Sequence, residues 1–163
     1  MVNIRPATLA DLDAITAIYN EAILTTTATF DLEPQTREDR QGWFDDHDER
    51  HPILVAEVEN QVVGWASLSV WNRRAAYAKT AETSMYVKEE FRGQGIGRQL
   101  KQAVIAEAKR LGYHTLIAGV AEGSDASLHL NLSFGFEEVG TFQEVGYKFG
   151  KLLDVTYLQL KLK

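Results

Sequence analysis

The stretch VKEEFRGQGIGRQL, Val87 to Leu100, sets glycines at alternate positions, Gly93, Gly95 and Gly97. A strand-like run, AETSMYV, precedes it and a long amphipathic run comes after it. A dinucleotide fingerprint of the form G-x-G-x-x-G needs glycine at position 98, where the chain has Arg98. A Walker A loop needs Gly-Lys followed by Ser or Thr, which is absent. A plain tight turn between strand and helix remains, and its position says more than its glycines. A glycine-rich turn that opens a helix presents unpaired backbone N–H groups at the positive end of the helix dipole. Such a site binds phosphate without any side chain. Arg92 and Arg98 flank the turn and add charge-assisted donors for the same anion. The stretch therefore predicts a pyrophosphate ligand.

Downstream, a helix is expected from about Gly97 to Leu111. Ile96, Leu100, Val104, Ala108 and Leu111 fall on one face of it, and Gly112 is a natural C-cap. HTLIAGV reads as a buried strand and SDASLHLNLSF as a short helix capped at Ser124 and stopped by Gly135. FEEVGTFQEVGYKF and LDVTYLQLKL read as two further strands. Upstream, NIRPAT is a first strand, after which Thr8 offers an N-cap with Asp11 three residues on. Leu12, Ile15, Ile18, Tyr19 and Ile23 then mark one helical face, LTTTATFDLEP is irregular, and Thr36 caps a second helix carrying Trp43 and Phe44. ILVAEVE and QVVGWASLSVW form a hairpin about Asn60–Gln61, and WNRRAAYAKTA is a loop. This order predicts an α/β (α+β) architecture, one mixed sheet flanked by helices on both faces.

At 163 residues with no repeat or linker-like segment, residues 1–163 are expected to form one domain. No run of the ~18 apolar residues that a membrane span needs occurs. The N-terminus lacks the basic-then-apolar layout of a secretory signal, so a cytoplasmic protein is expected. The net charge of −6, with no dominant Lys/Arg cluster, disfavours nucleic-acid binding. Absence of cysteine removes disulfides, cysteine zinc ligands and a cysteine nucleophile. His47 and His51 stand at H-x-x-x-H spacing, but in a polar, helix-end stretch they read as surface or capping histidines rather than as metal ligands. Group transfer in such a chain passes directly between substrates or uses another nucleophile.

RGQGIG fits, through Arg92, Gly95 and Gly97, the R/Q-x-x-G-x-G/A signature of the GCN5-related N-acetyltransferases (GNAT). The resemblance runs almost end to end. AIYNEAI, TTATFDLEPQTREDRQGWF, PILVAE, TAETSMYVKEEFRGQGIG and VGYKFGKLLDVTYLQL resemble the phosphinothricin and methionine-sulfone acetyltransferase branch. It implies a GNAT fold with a mostly antiparallel sheet and acetyl-CoA as acetyl donor, with no metal. Its pyrophosphate would lie on Arg92, Gly93, Gln94, Gly95, Ile96, Gly97 and Arg98. A bulge in the preceding strand would bring the backbone of Met85, Tyr86 and Val87 to the pantetheine and thioester. Ser124 stands where the family usually has an asparagine touching the cofactor. The resemblance also implies a homodimer joined through the C-terminal part of the sheet, with Lys148 and Asp154 in structural roles there.

Acetylating an amine requires its neutral form, so a base must remove a proton from the ammonium. The growing oxyanion needs preorganised donors such as backbone N–H groups. Glu82 lies on a strand of apolar and small residues, where burial raises a carboxyl pKa toward general-base use. A solvated glutamate on a sheet edge is the plainer reading, and the resemblance, which places the family's proposed base here, decides for the base. Thr83 and Ser84 would line the acceptor pocket or stand directly behind its wall. Trp71, Asn72, Arg73, Arg74 and Tyr77 supply cations and an aromatic wall for a carboxylate-bearing acceptor, against the plainer reading of a polar surface loop. Related methionine-sulfone enzymes carry Arg-Pro-Phe where this chain has Asn72, Arg73 and Arg74, so the clamp shifts to Arg73 or Arg74. Many relatives place a Tyr or His general acid where this chain has Asn131, which holds no titrating proton; His129 projects from another side of the helix. The proton for the leaving thiolate then comes from water or from a tyrosine. His47, His51 and His114 are expected as surface or capping residues, and Tyr19 as core. Asn20 and Phe30 stand open between packing and closing over the acceptor.

Overall fold

In the computed structural model, which describes residues 1–163, the chain runs β1 (Val2–Pro6), α1 (Leu12–Thr25), α2 (Arg37–Asp45), β2 (Ile53–Val58), β3 (Gln61–Val70), β4 (Thr80–Val87), α3 (Ile96–Arg110), β5 (Thr115–Ala121), α4 (Asp125–Ser133), β6 (Glu137–Lys148) and β7 (Lys151–Lys161). Local chemistry explains most boundaries. Thr8 N–H donates to Asp11 Oδ2 at 2.8 Å, and a single 3-10 turn, Leu9–Asp11, intervenes before α1. Around α2 the capping box closes in both directions. Asp39 N–H donates to Thr36 Oγ1 at 3.1 Å, and Thr36 N–H donates to Asp39 Oδ2 at 3.0 Å. Leu24 and Thr25 extend α1 beyond its expected end, so the irregular segment starts at Thr26.

The hairpin turn falls at Glu59–Asn60, one residue before the expected pair, because Gln61 pairs with Val58 and belongs to β3. Both turn residues have positive φ, 49° and 65°, which a two-residue hairpin needs to match the strand twist.

The strands form one sheet in the order β1-β2-β3-β4-β5-β7-β6, antiparallel at every step except β4–β5. Strand alternation sorts two cores onto its faces. Ile53, Val55 and Trp65 meet Ile15 and Ile18 of α1 on one side. Leu54, Ala56, Ala66 and Leu68 meet Leu100, Val104 and Ala108 of α3 on the other. On the α1/α2 side Arg40 is buried without an acidic partner. Its guanidinium lies 3.7 Å from the Trp43 centroid and 4.3 Å from that of Tyr19, so aromatic faces stand in for an anion, and burial pushes its pKa down to about 10. No helix is long and apolar enough to cross a membrane.

One feature of the sheet opens a cleft in it. β4 and β5 pair only at Thr80–Thr115, Ala81–Leu116 and Glu82–Ile117, and β5 then continues against β7 as far as Ala121–Val155. The sheet therefore opens as a wedge beyond Glu82. Between β3 and β4 the register runs without a shift from Val70–Ala81 to Gly64–Val87. The expected bulge in β4 is not there as a register break; divergence of β5 is what frees the β4 edge.

Candidate active site

The wedge is the floor of a cleft of about 720 Å³. Glu82 to Val87 of β4 form one wall, Ala118 to Ala121 of β5 the other, and the glycine loop lies at the mouth. Gly93 and Gly95 adopt φ of 76° and 83°, a left-handed conformation that L side chains resist. With the chain turned this way, the amides from Gly93 to Arg98 donate to no acceptor in the protein, and the first satisfied one is Gln99 N–H on Gly95 O at 3.2 Å. A run of free donors at a helix start is the chemistry a diphosphate requires, so the loop fits the group expected there. Arg92 and Arg98 line the cleft. Arg92 Nε is tied to Val87 O at 2.9 Å, and an Arg98 guanidinium N–H donates to Ser133 Oγ at 2.9 Å. Gln94 and Ile96 contribute no side chain to the lining. Gln94 turns back to Glu90 O, and Ile96 is buried in the core, leaving only their amides available. Gly97 lets α3 sit on β4, since a Cβ there would stand 3.3 Å from Met85 Cε. Ser124 lines the cleft at the start of α4, and its side chain makes no capping bond.

The antiparallel register assigns each β4 side chain to a face. Glu82 opposes Ser69, Ser84 opposes Ser67 and Tyr86 opposes Trp65, on the α1/α2 side. Thr83 opposes Leu68 and Met85 opposes Ala66, on the α3 side. Contacts agree, for the Tyr86 and Trp65 rings lie 5.0 Å apart, and Thr83 accepts a hydrogen bond from Lys101. Glu82 is half-buried at the apex of the wedge and has no hydrogen-bond or ion-pair partner; desolvation alone raises its carboxyl above the usual range. Of the two places expected for Thr83, its face of the strand fits the one behind the wall, since it is turned to the side opposite Glu82.

The segment from Thr26 to Phe30 roofs the cleft on the Glu82 side. Thr27 Oγ1 donates to Glu122 O at 2.6 Å, Tyr86 OH to Ala28 O at 3.3 Å, and buried Lys148 Nζ to Thr29 O at 2.8 Å. Tyr19 OH bonds Thr29 Oγ1 and Asp31, and Phe30 lies on Gly146, where any Cβ would collide with its ring. Phe30 thus lines the cleft. Asn20 does not; it clamps the far end of the segment through Gln35 N–H and O. Asp154 braces the same end of the sheet, accepting Glu144 N–H at 2.8 Å and donating its own N–H to Glu122 Oε1 at 3.0 Å.

Asn72, Arg73 and Arg74 are exposed and outside the lining. Asn72 Oδ1 accepts Arg74 N–H at 3.0 Å in a local turn, and Trp71 packs on Tyr77 at 5.0 Å. The sequence neighbourhood of Glu82 therefore does not become its spatial neighbourhood. His129 is exposed on α4, whereas His47 is half-buried and takes the capping role, bridging Trp43 O in the last turn of α2 and Ser69 Oγ at 2.7 and 3.0 Å.

Two features of the lining are not apparent from the sequence. Lys101 lies within the buried stripe of α3, four residues before Ile105 and four after Gly97, and that spacing is the one signal the chain offers. Asn131, anticipated only as a position without a titrating proton, is buried with its Nδ2 donating to Ser127 O at 2.9 Å, while its Oδ1 has no partner. No spacing announces an orphan acceptor.

A parallel pair of strands that part over a glycine-capped helix N-terminus defines a class, and the chain belongs to the acetyltransferase (GNAT) family, whose model matches residues 15–136. Within that family its similarity is to the methionine-sulfoximine and phosphinothricin acetyltransferase branch. It is 42% identical over 162 residues to the L-methionine sulfoximine/L-methionine sulfone acetyltransferase of Pseudomonas aeruginosa, covering 98% of this chain and 94% of that protein. It superposes with a TM-score of 0.96 on an N-acetyltransferase from Staphylococcus aureus, at 43% identity, covering 100% of this chain and 99% of that one. The TM-score is again 0.96 on a phosphinothricin acetyltransferase from Sinorhizobium meliloti solved in complex with acetyl-CoA, at 32% identity, covering 99% of this chain and 88% of that one.

Proposed function

We propose that this protein transfers the acetyl group of acetyl-CoA to the α-amino group of a small amino-acid analogue of the methionine sulfone, methionine sulfoximine or phosphinothricin type, directly within a ternary complex. The observation that carries the reading is the wedge beyond Glu82, with a run of free amides at its mouth and an unpartnered carboxylate at its apex. The amides from Gly93 to Arg98, with Arg92 and Arg98, hold the pyrophosphate. The backbone of Met85, Tyr86 and Val87 and the Ser124 side chain hold the pantetheine arm. Acetyl-CoA supplies the activated acyl carbon.

Glu82 accepts a proton from the acceptor ammonium, leaving a nucleophilic amine. Its raised pKa suits that task, because a base nearer neutrality still holds the proton it has taken. Ser84, Tyr86, Ala28 and Phe30 enclose the acceptor on the same face, and Thr83 supports the wall from behind. Asn72, Arg73 and Arg74 stand outside that enclosure and meet a carboxylate only if their loop moves. The work is done in the cytoplasm. Val139, Phe142, Val145 and Tyr147 of β6 are exposed, and they support a homodimer built on that edge.

The test is acetyl-CoA consumption with methionine sulfone, methionine sulfoximine and phosphinothricin, alongside a polyamine. The polyamine arm is needed because Glu82 is the only charged residue on the acceptor wall, which would also suit a cationic amine. Turnover on the amino-acid analogues is expected, and silence on all of them sinks the acceptor assignment. Glu82→Gln is expected to bind acetyl-CoA normally and lose about 10²–10⁴-fold in turnover near neutral pH. Full turnover by that variant would overturn Glu82 as base.

A further inference from the structure

Lys101 is 4% exposed on a helix stripe otherwise held by Ile96, Leu100, Val104, Ile105 and Ala108. A lysine stem normally runs along apolar surface and delivers its ammonium to water. This one ends in the cleft lining, with Nζ 2.9 Å from Thr83 Oγ1 and 4.5 Å from the centroid of the Phe136 ring. An ammonium has three N–H donors, and Thr83 takes one. Holding the rest away from water is unfavourable, and packing gives no reason for it, since methionine would fill a similar volume.

Glu82 and Thr83 are consecutive in β4 and face opposite sides of the sheet. The unpartnered carboxylate therefore stands on the α1/α2 side of the wedge, and the Lys101 ammonium reaches the same wedge from the α3 side. A proton acceptor and a proton donor flank the gap where β4 and β5 part. Asn131, an α4 residue in the same lining, carries no titrating proton.

We propose that Lys101 donates the proton that the coenzyme A sulfur takes as it leaves, an assignment that rests on the acetyl-transfer reading. Glu82 first accepts one proton from the acceptor ammonium. The amine lone pair then forms the N–C bond, and the C–S bond breaks with its electron pair on sulfur. Sulfur takes a proton from Lys101 Nζ. The new amide nitrogen releases its surplus proton, which restores Lys101 through water, while Glu82 releases the first to solvent.

The surroundings leave Lys101 free to titrate. Glu82 and Tyr86 of β4 are turned to the other face, and Arg98 of α3 is bonded to Ser133 at the mouth. β5 and α4 present no charged side chain to the cleft, and β7 presents Tyr157. With no anion beside it, burial pushes the Lys101 pKa down to about 7, so both protonation states are populated near neutrality.

Lys101→Met tests the assignment. The variant is expected to bind acetyl-CoA as wild type does, to lose about 10²–10⁴-fold in kcat, and to lose the alkaline limb of the kcat–pH profile. Independently of turnover, NMR of protein labelled with ¹³C-lysine should show one lysine titrating near neutrality in wild type and missing from the variant. Retention of kcat and of the alkaline limb by Lys101→Met, or the absence of any lysine titrating near neutrality in wild type, overturns the proposal. Should wild type itself turn over no amine, the acetyl-transfer reading fails instead.

Discussion

Replacing Lys101 by methionine should stabilise the protein, by an amount that shrinks as pH rises. Lys101 is 4% exposed, and its pKa falls from 10.5 to about 7 on folding, with desolvation the sole cause. Between those values the unfolded chain binds more protons than the folded one, so wild-type stability climbs with pH across that window. The slope contributed by a single group is ~1.4 kcal/mol per pH unit. Below the folded pKa the full electrostatic penalty applies, and above it the penalty fades toward the unfolded value. Integration gives a wild-type penalty larger by about 3 kcal/mol at pH 6 than at pH 9. Methionine at this position does not titrate, and the other groups titrate alike in both proteins, so the difference between the two isolates Lys101. Urea denaturation of both at several pH values between 6 and 9 reads the quantity directly. A stability difference constant across that range would refute the argument, because it would mean that Lys101 keeps its charge at no electrostatic cost.

Two glycines offer further checks. Gly95→Ala puts a side chain at φ 83°, which costs about 1–2 kcal/mol and tilts the amides that open α3; calorimetry should find weaker acetyl-CoA binding. Gly146→Ala drives a Cβ into the Phe30 ring. Relief requires the Thr26–Phe30 segment to shift, so a stability loss of about 1–3 kcal/mol in urea melts and a raised acceptor KM are expected, with donor affinity unchanged.

Features governed by a few neighbouring residues were legible in the chain. Thr36 and Asp39 form their reciprocal cap, Gly112 closes α3 at φ 82°, and the glycine loop adopts the left-handed turns that its composition allows. The hairpin turn lies one residue ahead of the pair its composition suggests, because Glu59 accepts a positive φ that its type seldom takes. Lys101 was hidden for a different reason. A lysine within an apolar stripe looks like an exposed residue at its margin until the helix is set against the sheet.

The sequence by itself determined which segments are helices and strands, and that one helix opens on a glycine-rich turn. Hydrogen bonds and steric limits reaching three or four residues decide such things. Only the tertiary structure decided where the chemistry gathers. β5 pairs along its whole length with β7, a strand from the far end of the chain, but with β4 only as far as Glu82, and that parting of β4 from β5 opens the wedge. The same packing turns Thr83 away from Glu82, sets Lys101 against Thr83 from the α3 side, and leaves Arg73 and Arg74 outside, although they are nearer to Glu82 in sequence than Lys101 is. Proximity along the chain and proximity in space part company where a sheet assembles strands from distant segments, and the site lies at that parting.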